Sequence, residues 1–233
     1  MSKVLRKVIE PFIRTLFQLI FNMKGSKGYW ETRYARGGNS GGGSYGRLAE
    51  FKAEVLNNLV TELHINSIIE LGCGDGNQTS LLESKVNYLG LDISPTVIQW
   101  NLEKFRSDPS KDFLVFDSSH FKKIGNFLSA DMTISLDVLY HLVEQDVFES
   151  YLKALFDMAK QYVVIYAVNN ENIGIKSKAA HVHIRAFIPY IAENFKEFRL
   201  MRKIENKYSY SEECGRIGTD KWSMCDFYVF CKI

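Results

Sequence analysis

The densest chemistry in the chain lies at residues 68–76, Ile-Ile-Glu-Leu-Gly-Cys-Gly-Asp-Gly. A short apolar run carries an acid, Glu70, and passes straight into Gly-x-Gly-x-Gly. Glycines in such a turn let the backbone pass close beneath a ligand at the carboxyl end of a strand. The spacing departs from the dinucleotide fingerprint GxGxxG, whose third glycine would fall at Asn77. No Gly-Lys-Ser/Thr follows, so the turn is not a phosphate-cradling P-loop. A second group, Leu89-Gly90-Leu91-Asp92-Ile93, puts a carboxylate 22 positions after Glu70. At a strand end it can accept both hydroxyls of a ribose in charge-assisted hydrogen bonds. Phe113–Phe116 closes on Asp117, where a carboxylate can accept from an adenine amino group, and Thr133–Leu136 closes on Asp137. Singly, each aspartate reads as a cap or turn former. In succession, these strand ends gather acids and a glycine turn along one sheet edge.

Two further groups could act on a substrate. Asp137 and His141 follow the fourth strand four residues apart. If that turn enters a helix they share a face. An imidazole suits proton removal near neutral pH, so His141 is the candidate base and Asp137 its orienting partner or an alternative base. The plainer reading is a helix cap beside a cleft-lining ring. His181, His183 and Arg185 follow the fifth strand by fourteen residues or more. Direct contact with the acceptor, a polar helix start, or a metal held with Asp137 are the readings of this triplet. Two nearby histidines fall short of a ligand set, and no metal is expected.

The elements that must position these groups alternate from Leu48 onward. Helix is expected at Leu48–Leu63, with Leu48, Phe51, Val55, Leu59 and Leu63 on one side, and at Gln78–Lys85, Glu144–Lys160 and His183–Phe195. A further helix begins after Ser94, a natural N-cap followed by Pro95. Strands are expected at Ser67–Leu71, Asn87–Ile93, Phe113–Asp117, Met132–Leu136 and Tyr162–Ala167. Phe198–Lys203 and Asp226–Lys232 then form a terminal hairpin. This order implies an α/β fold: a Rossmann-like, seven-stranded, mostly parallel sheet with a terminal antiparallel hairpin and helices on both faces.

Ahead of that body, residues 37–46 hold six of the sixteen glycines, next to Tyr29, Trp30, Arg33, Tyr34 and Arg36. A plain linker has no use for such aromatics and cations, but a lid over a ligand does. Residues 3–23 have a helical apolar stripe flanked by Lys3, Arg6, Lys7 and Arg14. The longest uncharged run, Thr15–Met23, is nine residues, far below the ~20 needed to span a bilayer. An interfacial helix on an anionic membrane surface, or a helix packed on protein, fits this pattern. The expected division is therefore 1–24 basic amphipathic helix, 25–47 glycine-rich lid and 48–233 main domain.

Composition sets the outer limits. Of 233 residues, 46 % are hydrophobic and 24 % charged, the balance of a globular chain and not of a disordered or collagen-like one. The net charge of +2 is uneven: residues 1–36 carry +6 and the remainder −4. A mildly acidic body is a poor polyanion binder, so no nucleic-acid partner is expected. The four cysteines, Cys73, Cys214, Cys225 and Cys231, form no CxxC pair, which suits a reducing compartment. The expected location is cytoplasmic, with contact to the inner face of a membrane through residues 1–23. Oligomeric state has no signature in the sequence.

Together these motifs resemble the class I S-adenosylmethionine-dependent methyltransferases over about Tyr29 to Ile233. ELGCGDG looks like their motif I, GLDIS like their ribose motif and VFD like their adenine motif. The resemblance implies that Glu70, Gly72, Gly74 and Gly76 surround the methionine part of S-adenosylmethionine. It places Asp92 and Ile93 at the ribose, Asp117 and Ser118 at the adenine, and Leu136 along the same cleft. Trp30, Arg33 and Tyr45 belong to the lid, with Arg33 meeting the cofactor carboxylate. The segment YWETRYARGGNSGGGSYGRLAEFKAEVLN looks like a bacterial and viral methyltransferase subgroup often found beside glycan-synthesis enzymes. That association, a candidate base suited to a hydroxyl and the basic arm make a sugar hydroxyl of a glycan or its precursor the first choice of acceptor, the alternatives being a small-metabolite or protein acceptor, or a non-catalytic adenosyl-binding partner of a glycan enzyme. The absence of an Asn/Asp-Pro-Pro-Tyr/Phe motif after the fourth strand, where Ser135-Leu136-Asp137-Val138 stands, disfavours nucleic-acid methylation.

Overall fold

The computed structural model describes residues 25–83, 86–122, 125, 127–170, 181–209 and 221–233. The expected helix at 3–23 lies outside them. Residues 25–35 are helical (α1). After α1 come α2 (Gly46–Glu62), β1 (Ser67–Leu71), β2 (Asn87–Asp92), α3 (Pro95–Lys104) and β3 (Lys111–Val115). β4 (Ala130–Leu136), α4 (Gln145–Asp157), β5 (Ala159–Ala167), α5 (Phe187–Asn194), β6 (Phe198–Ile204) and β7 (Asp226–Lys232) complete the chain. The sheet runs β3-β2-β1-β4-β5-β7-β6. Its first five strands are parallel, and β7 pairs antiparallel with both β5 and β6. The chain therefore reverses its winding direction between β1 and β4, the switch point where open α/β sheets bind ligands.

Alternation along the strands builds two cores. On one face Ile68, Met132, Ile134 and Val164 pack with Phe51, Val55 and Leu59 of α2 and with Ile98 of α3. On the other, Ile69, Leu71, Val163 and Ile165 pack with Phe148, Leu152, Leu155 and Phe156 of α4 and with Phe187 and Ile191 of α5. Helices thus cover both faces. Among the described residues, no helix is long and apolar enough to cross a membrane.

The boundaries moved where local signals were weak. Over 78–85, only Thr79–Leu81 forms a short 3-10 turn among the described residues. Gln78 instead donates through Nε2 to the Ala49 carbonyl of α2, 3.1 Å away. α4 ends at Asp157, and Ala159 and Lys160 already belong to β5. α5 starts at Phe187 and not at His183, so the His181–Arg185 stretch is loop. Ser94 caps α3 as expected, with the Val97 N–H donating to its hydroxyl at 3.2 Å.

Phe156 is 1 % exposed, with the Phe195 ring stacked 4.3 Å away and Phe198 and Phe230 edge-on. Phe156→Ala should cost about 3–5 kcal/mol of stability, read as a lowered midpoint in urea with an unchanged slope.

Candidate active site

The cleft opens at the carboxyl ends of β1, β2 and β4 and encloses about 1140 Å³, counted with its open mouth. Its floor is the turn after β1. Gly72, Gly74 and Gly76 all have positive φ, at +77°, +57° and +70°, which an L side chain adopts only at a cost. There is no room for one either: a Cβ on Gly72 would strike Val138, and one on Gly74 would collide with Ser40 Oγ.

Asp92, at the end of β2, ties this turn down. Its Oδ2 accepts the Gly74 N–H at 3.0 Å and its Oδ1 the Ser94 N–H at 2.9 Å. Burial pushes its carboxyl up to about 6, against these hydrogen bonds. Glu70 is buried too and pushed up to about 7 by burial, although Tyr88 donates to it at 2.5 Å. A carboxylate short of solvation at a cleft wall has capacity left for hydroxyl donors.

The lid is closed over the cleft. Tyr29 and Tyr34 of α1 are 4 % and 3 % exposed. Glu31 latches α1 to the start of α3, accepting the Ser94 hydroxyl at 2.5 Å and the Thr96 hydroxyl at 2.6 Å. Despite partial burial, these bonds hold the Glu31 carboxyl below its usual range. Asp75 is a second clasp. It accepts the Ser40 N–H at 2.8 Å and the Tyr45 hydroxyl at 2.7 Å, while its own N–H donates to Ser40 Oγ. Lys27 pairs with Asp117 at 2.7 Å across the rim. Partial burial opposes it, but the bonds from Lys27 and Ser119 hold the Asp117 carboxyl at about 2.

His141 sits in a 3-10 turn after β4. Its Nδ1 lies 2.9 Å from the His181 carbonyl, which can only accept, so Nδ1 carries the proton and Nε2 the lone pair. The ring is boxed by Trp30 edge-on at 4.9 Å and His181 stacked at 5.5 Å. Burial pushes the imidazole down to about 4, and the His181 carbonyl only partly offsets this. At neutral pH the ring is an uncharged hydrogen-bond acceptor facing the cleft.

The structure brings most of the expected residues together. Trp30, Glu70, Gly72, Gly74, Asp92, Ile93, Asp117, Ser118, Leu136, Asp137 and His141 all line the cleft. Several roles need correction. Arg33 is not at the cleft: its Nε donates to the Asn39 carbonyl at 2.6 Å, and its guanidinium lies over Trp30. Tyr45 is bound to Asp75, and the Gly76 carbonyl is taken by Ser80 and Lys104. Asp137 does not orient His141; its carboxylate accepts Lys52 Nζ at 2.6 Å and the Tyr140 hydroxyl at 3.0 Å. Of the triplet after β5, His181 packs on Tyr29. His183 and Arg185 brace the turn after His141: the Arg185 guanidinium donates to the Leu142 and Val143 carbonyls, and His183 N–H donates to Tyr140 O. Among the described residues no three His, Cys, Asp or Glu side chains converge as a metal site.

Sequence reasoning passed over Glu31, Ser40, Lys52 and Asp75. Lys52 had a signal: it falls on the same helical face as Leu48 and Val55, where a lysine is out of place.

Two outcomes follow from this geometry. Glu31→Ala removes the latch, so trypsin cleavage after Arg33 or Arg36 should speed up by about tenfold in limited digestion. The second concerns His141, which titrates near 6.5 when unfolded and near 4 in the fold. Its contribution to stability is complete above pH 6.5 and is lost as pH falls toward 4. Glu70 and Asp92, with raised folded values, run the other way: their contribution is complete at acid pH and is lost as pH rises through 6–7. Comparison with His141→Gln isolates the ring. Between pH 7.5 and 4.5, wild type should lose about 5 °C of melting temperature relative to the variant.

Comparison with known proteins bears on the domain and its fold. Residues 69–162 match a family model described as a methyltransferase domain. No curated protein matches the chain in sequence. Among solved structures, the methyltransferase domain of bacterial CtHen1 aligns at 18 % identity over 78 % of this chain and 97 % of that one, with a TM-score of 0.59. N-methyltransferase NodS from Bradyrhizobium japonicum WM9, solved with S-adenosyl-L-homocysteine, aligns at 14 % identity over 79 % and 87 %, also at 0.59. Magnesium protoporphyrin IX methyltransferase from Synechocystis PCC 6803, with S-adenosylmethionine bound, aligns at 15 % over 94 % and 97 %, at 0.57. At such identities the structures speak for the fold, and the domain match speaks for the chemistry. With the glycine turn, the buried acid after β2 and the switch point in place, residues 69–162 are a methyltransferase domain, set in the Rossmann-like fold of the class I S-adenosylmethionine-dependent enzymes.

Proposed function

We propose that this methyltransferase O-methylates a sugar hydroxyl of a glycan or glycan precursor, with His141 as the base. The observation that carries the reading is the neutral, buried imidazole whose Nδ1–H is fixed on the His181 carbonyl and whose Nε2 is left for a substrate. When bound, S-adenosylmethionine supplies a sulfonium methyl, an electrophile already activated for in-line displacement. Asp92 would accept from its ribose hydroxyls, the 72–76 turn would lie under its methionine part, and Asp117 and Ser118 would border its adenine. The closed lid excludes water. His141 Nε2 takes the hydroxyl proton as the oxygen gains its methyl group. The His181 carbonyl steadies the imidazolium so formed, and His141 Nε2 gives the proton to water once the lid opens. The resemblance of the lid segment to enzymes found beside glycan synthesis supports a sugar acceptor. Residues 1–23, with their basic stripe, suit contact with the membrane on which lipid-linked precursors are built.

The direct test is transfer of labelled methyl from S-adenosylmethionine onto purified cell-envelope glycans. Label in a protein or small-metabolite fraction, with none in glycan, would reject the sugar. His141→Ala should lower turnover by about 10²–10⁴-fold and leave S-adenosyl-L-homocysteine affinity nearly unchanged. Because burial holds the ring near 4, the wild-type kcat/KM should be flat from pH 6 to 8 and fall only toward pH 4. Asp92→Ala removes two charge-assisted bonds of roughly 1.5–3 kcal/mol each, so calorimetry should show cofactor affinity falling by at least about 100-fold. Deleting residues 1–23 should abolish sedimentation with anionic vesicles while sparing cofactor binding.

A further inference from the structure

The ion pair at the cleft floor has no part in the reading above. Lys52 of α2 is 1 % exposed, and its Nζ lies 2.6 Å from Asp137 Oδ2 and over the Tyr166 ring. A buried pair of this kind stabilises little, because desolvating both charges offsets their attraction. Asp137 is also held at φ +62°, a conformation that costs any residue with a side chain and that collects at functional sites. Glycine at that turn would relieve the strain but would leave Lys52 unpaired. Stability alone therefore gives no reason to keep the arrangement.

Both side chains line the cleft beside His141. An ammonium has three donors, and Lys52 spends one on Asp137. The carboxylate accepts from Lys52, Tyr140 and the Cys225 thiol, which leaves about one of its roughly four lone-pair sites for a further donor. Gly43 of the lid passes close to it: a Cβ there would crowd Asp137 Oδ2 at 3.2 Å. The cofactor-side acids, Glu70 and Asp92, stand at the other strands, β1 and β2. Donor and acceptor capacity thus meet next to the base, on the β4 side.

We infer that Lys52 and Asp137 position the methyl acceptor through two neighbouring hydroxyls, the ammonium donating to one oxygen and the carboxylate accepting from the other hydroxyl. This rests on the hydroxyl reading above and narrows it to acceptors with adjacent hydroxyls. It also sets the roles apart: His141 takes the proton, and the pair fixes which oxygen faces it.

The test uses the full chain with two probe sets: methyl glycosides bearing or lacking adjacent hydroxyls, and simple primary amines. Labelled methyl transfer and S-adenosyl-L-homocysteine calorimetry are measured for wild type, Lys52→Met and Lys52→Met/Asp137→Asn. The double variant removes both charges and guards against misfolding caused by an unpaired buried carboxylate. Wild type should label the vicinal glycosides. Both variants should keep S-adenosyl-L-homocysteine affinity within about threefold and raise the glycoside KM at least about 30-fold, with a smaller fall in kcat. Glycosides labelled equally well by wild type and both variants would overturn the inference alone. A tenfold loss of S-adenosyl-L-homocysteine affinity in both variants would place the ammonium at the cofactor and also overturn it. Label on the amines only would overturn the hydroxyl reading beneath it, and the inference with it.

Discussion

The carboxylate of Asp92 joins β2, the turn after β1 and the head of α3, a junction that Asn101 and Lys104 of α3 reinforce by donating to the Gly74 and Gly76 carbonyls. One oxygen holds the Gly74 N–H of the turn after β1, and the other holds the Ser94 N–H at the head of α3. Ser94 in turn hands its hydroxyl to Glu31 of the lid. A single strand end thus sets the height of the glycine turn, the start of α3 and, through it, the seat of α1. The position is costly for a carboxyl, which burial pushes up to about 6. Hydroxyl donors from a ligand would repay part of that desolvation.

The acids of the cleft are held in different electrical states by their surroundings. Glu70 and Asp92 are raised by burial, whereas Asp117, at the rim, is held low by Lys27 and Ser119. His141 is kept neutral by the same burial that raises the two inner carboxyls. One dry wall therefore yields a neutral imidazole and poorly solvated carboxyls together, without a metal-ligating cluster among the described residues. Closing the lid strengthens each of these effects by thinning the solvent around them.

The lid is bound by polar clasps as well as by the buried rings of Tyr29 and Tyr34. Glu31, Asp75 and Lys27 each bridge it to a different part of the domain, and Asn77 adds a bond to the Ser44 carbonyl. Bonds of this kind exchange readily with water, so their net strength is modest. A cover made this way can open for exchange and still define a closed geometry. The sites of glycine along it follow from that geometry: Gly38 passes against the Arg33 backbone and Gly43 against Asp137, where a side chain would crowd.

The strand order was legible in the residues alone, although β3 spans Lys111–Val115 in place of Phe113–Asp117 and β5 begins at Ala159 and not at Tyr162. Apolar runs with strict bounds, such as Ser67–Leu71 and Asp226–Lys232, became strands with those same bounds, because their period and flanking turns admit no other buried arrangement. The strand-end acids and the glycine turn were legible for the same reason: in a parallel sheet, successive strand ends share an edge. The tertiary structure decided what long-range partners decide. Nothing local reveals that Arg33 turns to Asn39 and leaves the cleft, or that Arg185 braces the carbonyls of 142–143. The expected Asp137–His141 pair had the right spacing. Yet Lys52, 85 positions away, takes the carboxylate, and the His181 carbonyl, 40 positions away, takes the ring. A charged side chain binds the nearest complementary group in space, and only the fold fixes which group that is.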